Sequence, residues 1–129
     1  MRNIYLVLAA LSLLIITQAS WALGLGEITV NSKLGEPFKA SVTLSDDSNL
    51  SPEQIKAVNA PMEIYNQMQI DNSFIYQSFK LAITNNNGAL SLDISTKDPI
   101  REPYLDFVIQ VKWPGGQVNK EFKVFIDPS

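Results

Sequence analysis

Phe38-Lys39-Ala40-Ser41-Val42-Thr43-Leu44-Ser45 alternates apolar and polar residues without a break. A period of two puts Phe38, Ala40, Val42 and Leu44 on one face of a strand and the polar residues on the other. That is the pattern of a strand half-buried against a core. The same pattern recurs along the chain. Leu90, Leu92 and Ile94 alternate with Ser91, Asp93 and Ser95. Leu105, Phe107, Ile109 and Val111 alternate with Asp106, Val108, Gln110 and Lys112. Phe122, Val124 and Ile126 alternate with Glu121, Lys123, Phe125 and Asp127. Shorter runs at 27–31 and 79–84 complete six candidate strands.

Two turns set the expected pairing. Asn85-Asn86-Asn87-Gly88 separates two of the runs, and Asn-Gly favours a type I′ hairpin because both residues tolerate positive φ. Centring on Asn87-Gly88 sets Ile83 opposite Leu92 and Leu81 opposite Ile94. The second turn lies in Trp113-Pro114-Gly115-Gly116-Gln117. Centring it on Gly116-Gln117, a type II′ candidate, pairs Val111 with Phe122, Ile109 with Val124 and Phe107 with Ile126. Lys112 then faces Glu121. A slip of one residue would set apolar against polar side chains. A wider loop pairing Val111 with Val124 keeps the parity but opposes Lys112 and Lys123, which is unfavourable.

One stretch departs from this period. Ser51-Pro52-Glu53-Gln54 has the signature of a helix start, with Ser51 as N-cap, Pro52 at the first helical position and Gln54 closing a capping box. The helix is expected to run to about Val58 and to stop before Pro61. A second helical turn is expected at 62–67. Residues 46–78 thus form a long connection with little strand character. Short strands, regular turns and one helical crossover predict an all-β, immunoglobulin-like β-sandwich. No Cys…Trp…Cys pattern exists, so antibody-type kinship is not implied.

Composition narrows the chemistry. The 129 residues include no Cys and no His, which removes the thiol nucleophile, the imidazole base, Cys/His zinc sites and disulfides. Ten basic and 13 acidic residues give a net charge of −3, unsuited to a nucleic-acid surface. The first 22 residues have the layout of a secretory signal peptide: Arg2, an uncharged run from Ile4 to Ile16, then Ser20 and Ala22 at the −3 and −1 positions of a cleavage site. The run is short of the ~20 apolar residues that span a bilayer. Residues 1–22 are expected to be a signal peptide and 23–129 the folded domain, which loses only Arg2 and so has a net charge of −4. Membrane contact is expected only where that segment stays uncleaved.

Four motifs then fall into place. Ala22-Leu23-Gly24-Leu25-Gly26-Glu27-Ile28 sits at the cleavage point, and Ser32-Lys33-Leu34-Gly35-Glu36-Pro37-Phe38-Lys39-Ala40 follows. Next come Pro99-Ile100-Arg101-Glu102-Pro103-Tyr104-Leu105-Asp106-Phe107, then Val111-Lys112-Trp113-Pro114-Gly115-Gly116 with the ending Ile126-Asp127-Pro128. Together these resemble the N-terminal periplasmic domain of the FimV family of pilus-assembly and polar-hub proteins, over nearly the whole of 23–129. The resemblance implies a Gram-negative envelope protein linked to type IV pili and twitching motility. Longer relatives continue into a LysM peptidoglycan-binding module, a transmembrane helix and a cytoplasmic region. None of these is carried over. A stand-alone chain and the first module of a longer scaffold are both open. The family supplies no catalytic residue to transfer.

Asp46-Asp47-Ser48-Asn49 lacks the glycine and final glutamate of a calcium loop and fits a turn. Gly24-Leu25-Gly26 lacks the lysine and helix of a phosphate loop. Asp98, Arg101, Glu102 and Asp106 are expected to form a structural ion pair, with Pro99 and Pro103 fixing the path; a partner-facing clamp is the competing reading. Arg101, Glu102, Pro103, Asp106, Trp113, Pro114 and Gly116 are taken as the structural motif. Val108 and Phe125 fall on the polar faces of their strands, opposite each other in the expected register. With Gln110 and Lys123 they form the candidate interaction spot, unless the 46–78 connection covers them. Short edge strand 27–31 is a second candidate contact, through strand addition.

The function expected is a non-enzymatic periplasmic interaction domain that supports assembly or polar placement of pilus and envelope machinery, with envelope or pilus-assembly proteins as partners and no cofactor or metal. The alternative is a periplasmic glycan-binding sandwich that takes peptidoglycan, with Trp113, Tyr65, Tyr76 and Tyr104 as its candidate aromatics. Trp113 fits better as a cap on hairpin and core. A hydrolase built on Ser or carboxylates lacks its base.

Overall fold

The computed structural model describes residues 23–46 and 50–128. Among them, two antiparallel sheets face each other. The strands are β1 (Leu23–Val30), β2 (Pro37–Asp46), β3 (Lys56–Asn59), β4 (Lys80–Asn86), β5 (Ala89–Pro99), β6 (Tyr104–Trp113) and β7 (Gly116–Phe125). One sheet has the order β1-β2-β5-β4 and the other β3-β6-β7. The alternation reads directly onto the core. Phe38, Ala40, Val42 and Leu44 of β2 and Leu90, Leu92 and Ile94 of β5 are buried against Leu105, Phe107, Ile109, Val111, Phe122 and Val124 of the second sheet. Phe107 joins the layers, edge-on to Phe79 at 5.0 Å and near Phe122 at 5.7 Å, while Phe79 stacks on Phe38 at 5.7 Å.

The first hairpin keeps the expected register, with Leu81 opposite Ile94 and Ile83 opposite Leu92. Asn87 and Gly88 both have positive φ, 55° and 89°, as a type I′ turn requires. The second hairpin does not. Val111 faces Val118, Phe107 faces Phe122, Leu105 faces Val124 and Lys112 faces Gln117. Trp113 pairs with Gly116, so the turn is Pro114-Gly115 and not Gly116-Gln117. Proline fixes φ near −65°, which suits the second position of a type I or II turn and excludes a primed turn there. The register moves by four residues, which preserves the inside-outside parity and leaves every apolar residue on its own face. The close approach of Gly116 to the Trp113 ring, where an added Cβ would lie 3.4 Å from Cζ2, fits the tighter turn.

The connection also differs from expectation. Its first part forms only a single 3₁₀ turn, Pro52–Gln54. The predicted box is there: the Gln54 side chain accepts from Ser51 N–H at 2.9 Å. Ile55 is already extended (φ −110°, ψ 128°) and buried, and β3 follows. A helix of about seven residues is marginal by itself. Pairing with β6, Ala57 to Val111 and Val58 to Gln110, offers ladder bonds that a helix cannot. The helix proper is α1 (Met62–Met68), closed by Gln69 in the left-handed region at φ 58°. A further 3₁₀ segment, Phe74–Ser78, leads into β4. No helix among the described residues is long and apolar enough to cross a membrane.

β1 edges its sheet and is bulged between Leu25 and Ile28. Gly24 and Gly26 let it lie close to β2, since a Cβ on Gly26 would sit 3.1 Å from the Thr43 carbonyl. The bulge turns carbonyls outward. Lys120 of β7 donates to them, at 2.9 Å to Leu25 O and 3.3 Å to Gly26 O, and so ties the two sheets at that corner.

Candidate interaction surface

β6 extends past the end of β3. From Tyr104 to Val108 its edge has no strand beside it, and backbone N–H groups left buried without partners are costly. Two tyrosines fill the place. Tyr76 Oη accepts from Asp106 N–H at 2.8 Å, and Tyr65 Oη accepts from Val108 N–H at 2.9 Å. Tyr65 in turn donates to Asn59 Oδ1. The rings stack, 6.3 Å apart and 16° from parallel, and Tyr76 leans on Phe107. Burial pushes the Tyr65 hydroxyl up to about 12, outweighing the Val108 backbone bond that lowers it. The Tyr76 hydroxyl is raised for the same first reason.

Because Tyr65 and Tyr76 hold α1 and the following loop against β6, a groove of about 450 Å³ opens between them. It is lined by Gln69, Ile70, Asp71, Ser73, Tyr76, Glu102, Tyr104 and Asp106. Three of these are carboxylates and none is a cation. Asp106 Oδ1 is buried and has no hydrogen-bond partner among the described residues. Glu121, beside it, has its carboxyl raised, first by the hydrogen bond with Asp106 and then by burial; Lys123 works the other way. At the rim, Tyr104 and Phe125 sit opposite each other, with ring centroids 5.0 Å apart. Phe125 is 77% exposed and Tyr104 41%. A second groove, about 400 Å³, shares Glu102 and is lined also by Ile75, Ser78, Asp98, Pro99, Ile100 and Arg101.

The structure separates the four residues of the expected interaction spot. Val108 faces Glu121, not Phe125, and is fully buried; Ala60 N–H donates to its carbonyl at 2.9 Å. Gln110 is 7% exposed and pairs with Val58 and Asn119. Lys123 is exposed and faces Asp106. Only Phe125 is an exposed apolar residue, and its neighbour is Tyr104. The four-residue register shift accounts for this correction, together with the connection that covers Val108.

Among the described residues Arg101 makes no ion pair, so the expected structural pair is absent. The backbone around it is stapled instead. Gly35 N–H donates to Ile100 O at 2.8 Å, Ile100 N–H to Glu36 O at 3.1 Å, and Ile126 N–H to Pro103 O at 2.8 Å. Asp98 accepts through its carbonyl from Thr96 Oγ1 at 2.8 Å. Arg101 and Glu102 are left exposed. Trp113 is half-buried against the core, beside Pro114 and Gly116. Of the candidate aromatics, Tyr65 and Tyr76 are buried and Tyr104 alone is open. The Asp47-Ser48-Asn49 part of the imagined calcium loop lies outside the described residues, as does the expected leader, 1–22. Among the described residues no group of three or more Asp, Glu, His or Cys could hold a metal ion. Asp71 carries no signal in the sequence, and Tyr65 and Tyr76, candidates there for a glycan platform, instead close the edge of β6. Pro114, which favours the second position of a turn, is the signal that would have led to Tyr104–Phe125.

Comparison with known proteins finds relatives of this chain. Two relatives, each named Motility hub protein FimV and coming from two strains of Pseudomonas aeruginosa, are 31% identical over 129 residues. The alignment covers 99% of this chain and 14% of each relative. Among solved structures, the BIgI domain of beta protein from S. agalactiae bound to CEACAM1 is 18% identical, with a TM-score of 0.42 over 82% of this chain and 97% of that one. The family model described as FimV N-terminal domain Ig-like domain matches residues 23–129. The motifs, the two-layer fold and that match agree: the chain belongs to the FimV N-terminal domain family.

Proposed function

We propose that this chain is a non-enzymatic interaction domain that works in the periplasm, supporting assembly or polar placement of pilus and envelope machinery. The observation that carries the reading is the exposed Tyr104–Phe125 pair beside a carboxylate-lined groove, on a chain with no imidazole or thiol. Exposed aromatic rings in contact are costly in water and are typical anchors at protein interfaces. The motility role draws on the name of the relatives, which are about seven times longer. Export draws on the leader-like residues 1–22 and on a family match that begins at Leu23.

Alkaline phosphatase joined after Pro128 tests export: active enzyme is expected, and inactive enzyme in a stably expressed fusion contradicts it. Deleting the coding segment for 23–129 tests the role. Lost twitching is expected, and unchanged twitching with normal surface pili contradicts it. The same exposed rings favour a second reading, a glycan platform. Sedimentation with purified sacculi separates the two: the interaction reading expects the protein in the supernatant.

A further inference from the structure

We propose that the groove between the α1–β4 loop and the start of β6 receives an extended, Lys- or Arg-bearing segment of a partner protein. This deepens the interaction reading and rests on it. Asp71, Glu102 and Asp106 line the groove without a lysine or arginine among the lining residues. One Asp106 oxygen lacks a donor among the described residues. A cationic side chain supplies both the charge and the hydrogen bonds that this wall lacks. Next to it lie the exposed Tyr104 and Phe125 rings; aromatic rings draw a guanidinium or ammonium and pack its aliphatic stem. The groove volume of about 450 Å³ holds a few residues of extended chain, not a globular face.

Charge selects among occupants. A second copy carries the same carboxylates and a net charge of −3. Nucleic acid, anionic lipid and the carboxylate-bearing peptides of cell-wall glycan meet the same repulsion. Two neighbouring cations of this chain are not among the lining residues. Lys123 is exposed opposite Asp106, and Arg101 lines the neighbouring groove without an ion pair among the described residues.

The test places the photo-crosslinking residue p-benzoylphenylalanine at Phe125, and in a parallel strain at Lys39 on the outer face of β2, in the intact protein in cells. The expected Phe125 adduct maps to a partner peptide with two or more Lys or Arg within about ten residues. Its yield is expected to fall roughly five-fold or more when Asp71→Lys and Glu102→Lys are added. Both sites are exposed, and an unchanged melting curve shows that the variants fold. An adduct insensitive to the charge reversal, an adduct to glycan or to a second copy, or no adduct from Phe125 overturns the proposal. Protein adducts from Lys39 alone would sink the groove and leave the interaction reading standing. Silence at both positions would sink the two together.

Discussion

The edge of β6 is closed in two ways. From Ile109 to Lys112 it is paired by β3. From Tyr104 to Val108 the same edge meets two tyrosine hydroxyls. The ladder half needs backbone on both sides and leaves no room for a site. The tyrosine half satisfies the same N–H groups with side-chain tips, so the main chain is free to leave the sheet, turn through α1 and wall the groove. The groove therefore exists because β3 stops at Asn59, and its stability rests on a few side chains more than on a ladder.

The contrast can be broken most directly at Tyr65. Tyr65→Ala removes a fully buried ring and the acceptor for Val108, and is expected to cost about 3–5 kcal/mol in urea unfolding. A loss as small as that of a ladder-side substitution such as Ala57→Gly would contradict the side-chain account. Alkali sharpens the same point. The folded Tyr65 hydroxyl titrates at about 12 and the unfolded one near 10.0, so the native state holds the proton more tightly. Its contribution is fully present below pH 10.0 and is lost as pH rises towards 12. That loss is about 2–3 kcal/mol, and Tyr65→Phe should flatten the slope. Tyr76→Phe keeps the ring and leaves Asp106 N–H without its acceptor, at about 1–2 kcal/mol by the same unfolding assay.

The two turns give a smaller contrast. Gly88→Ala is expected to cost about 1 kcal/mol, because φ is +89° although the added Cβ meets nothing within 4 Å. Phe125→Ser is expected to change stability by less than about 0.5 kcal/mol in the same unfolding assay, since the ring is exposed.

Much of the fold could be read before any coordinates. Asn87-Gly88 demanded positive φ at both residues, which fixed one turn and hence the Leu81–Ile94 register. Around Pro114 the alternation could not decide, because a four-residue shift keeps parity; only the fixed φ of proline discriminates. The capping signal at Ser51 and Gln54 was real, yet it described one turn, and pairing with β6 drew Ile55 and the residues after it into extended backbone. The surface was the least legible part. Whether Val108 or Tyr104 sits beside Phe125 depends on that single turn, and the covering of Val108 depends on residues more than forty positions away.

Cross-strand backbone NOEs across β6 and β7 test the account most directly. It predicts contacts between Tyr104 and Phe125 and between Val111 and Val118. Contacts between Val108 and Phe125, with Val111 beside Phe122, would dissolve the exposed ring pair and contradict the surface built on it.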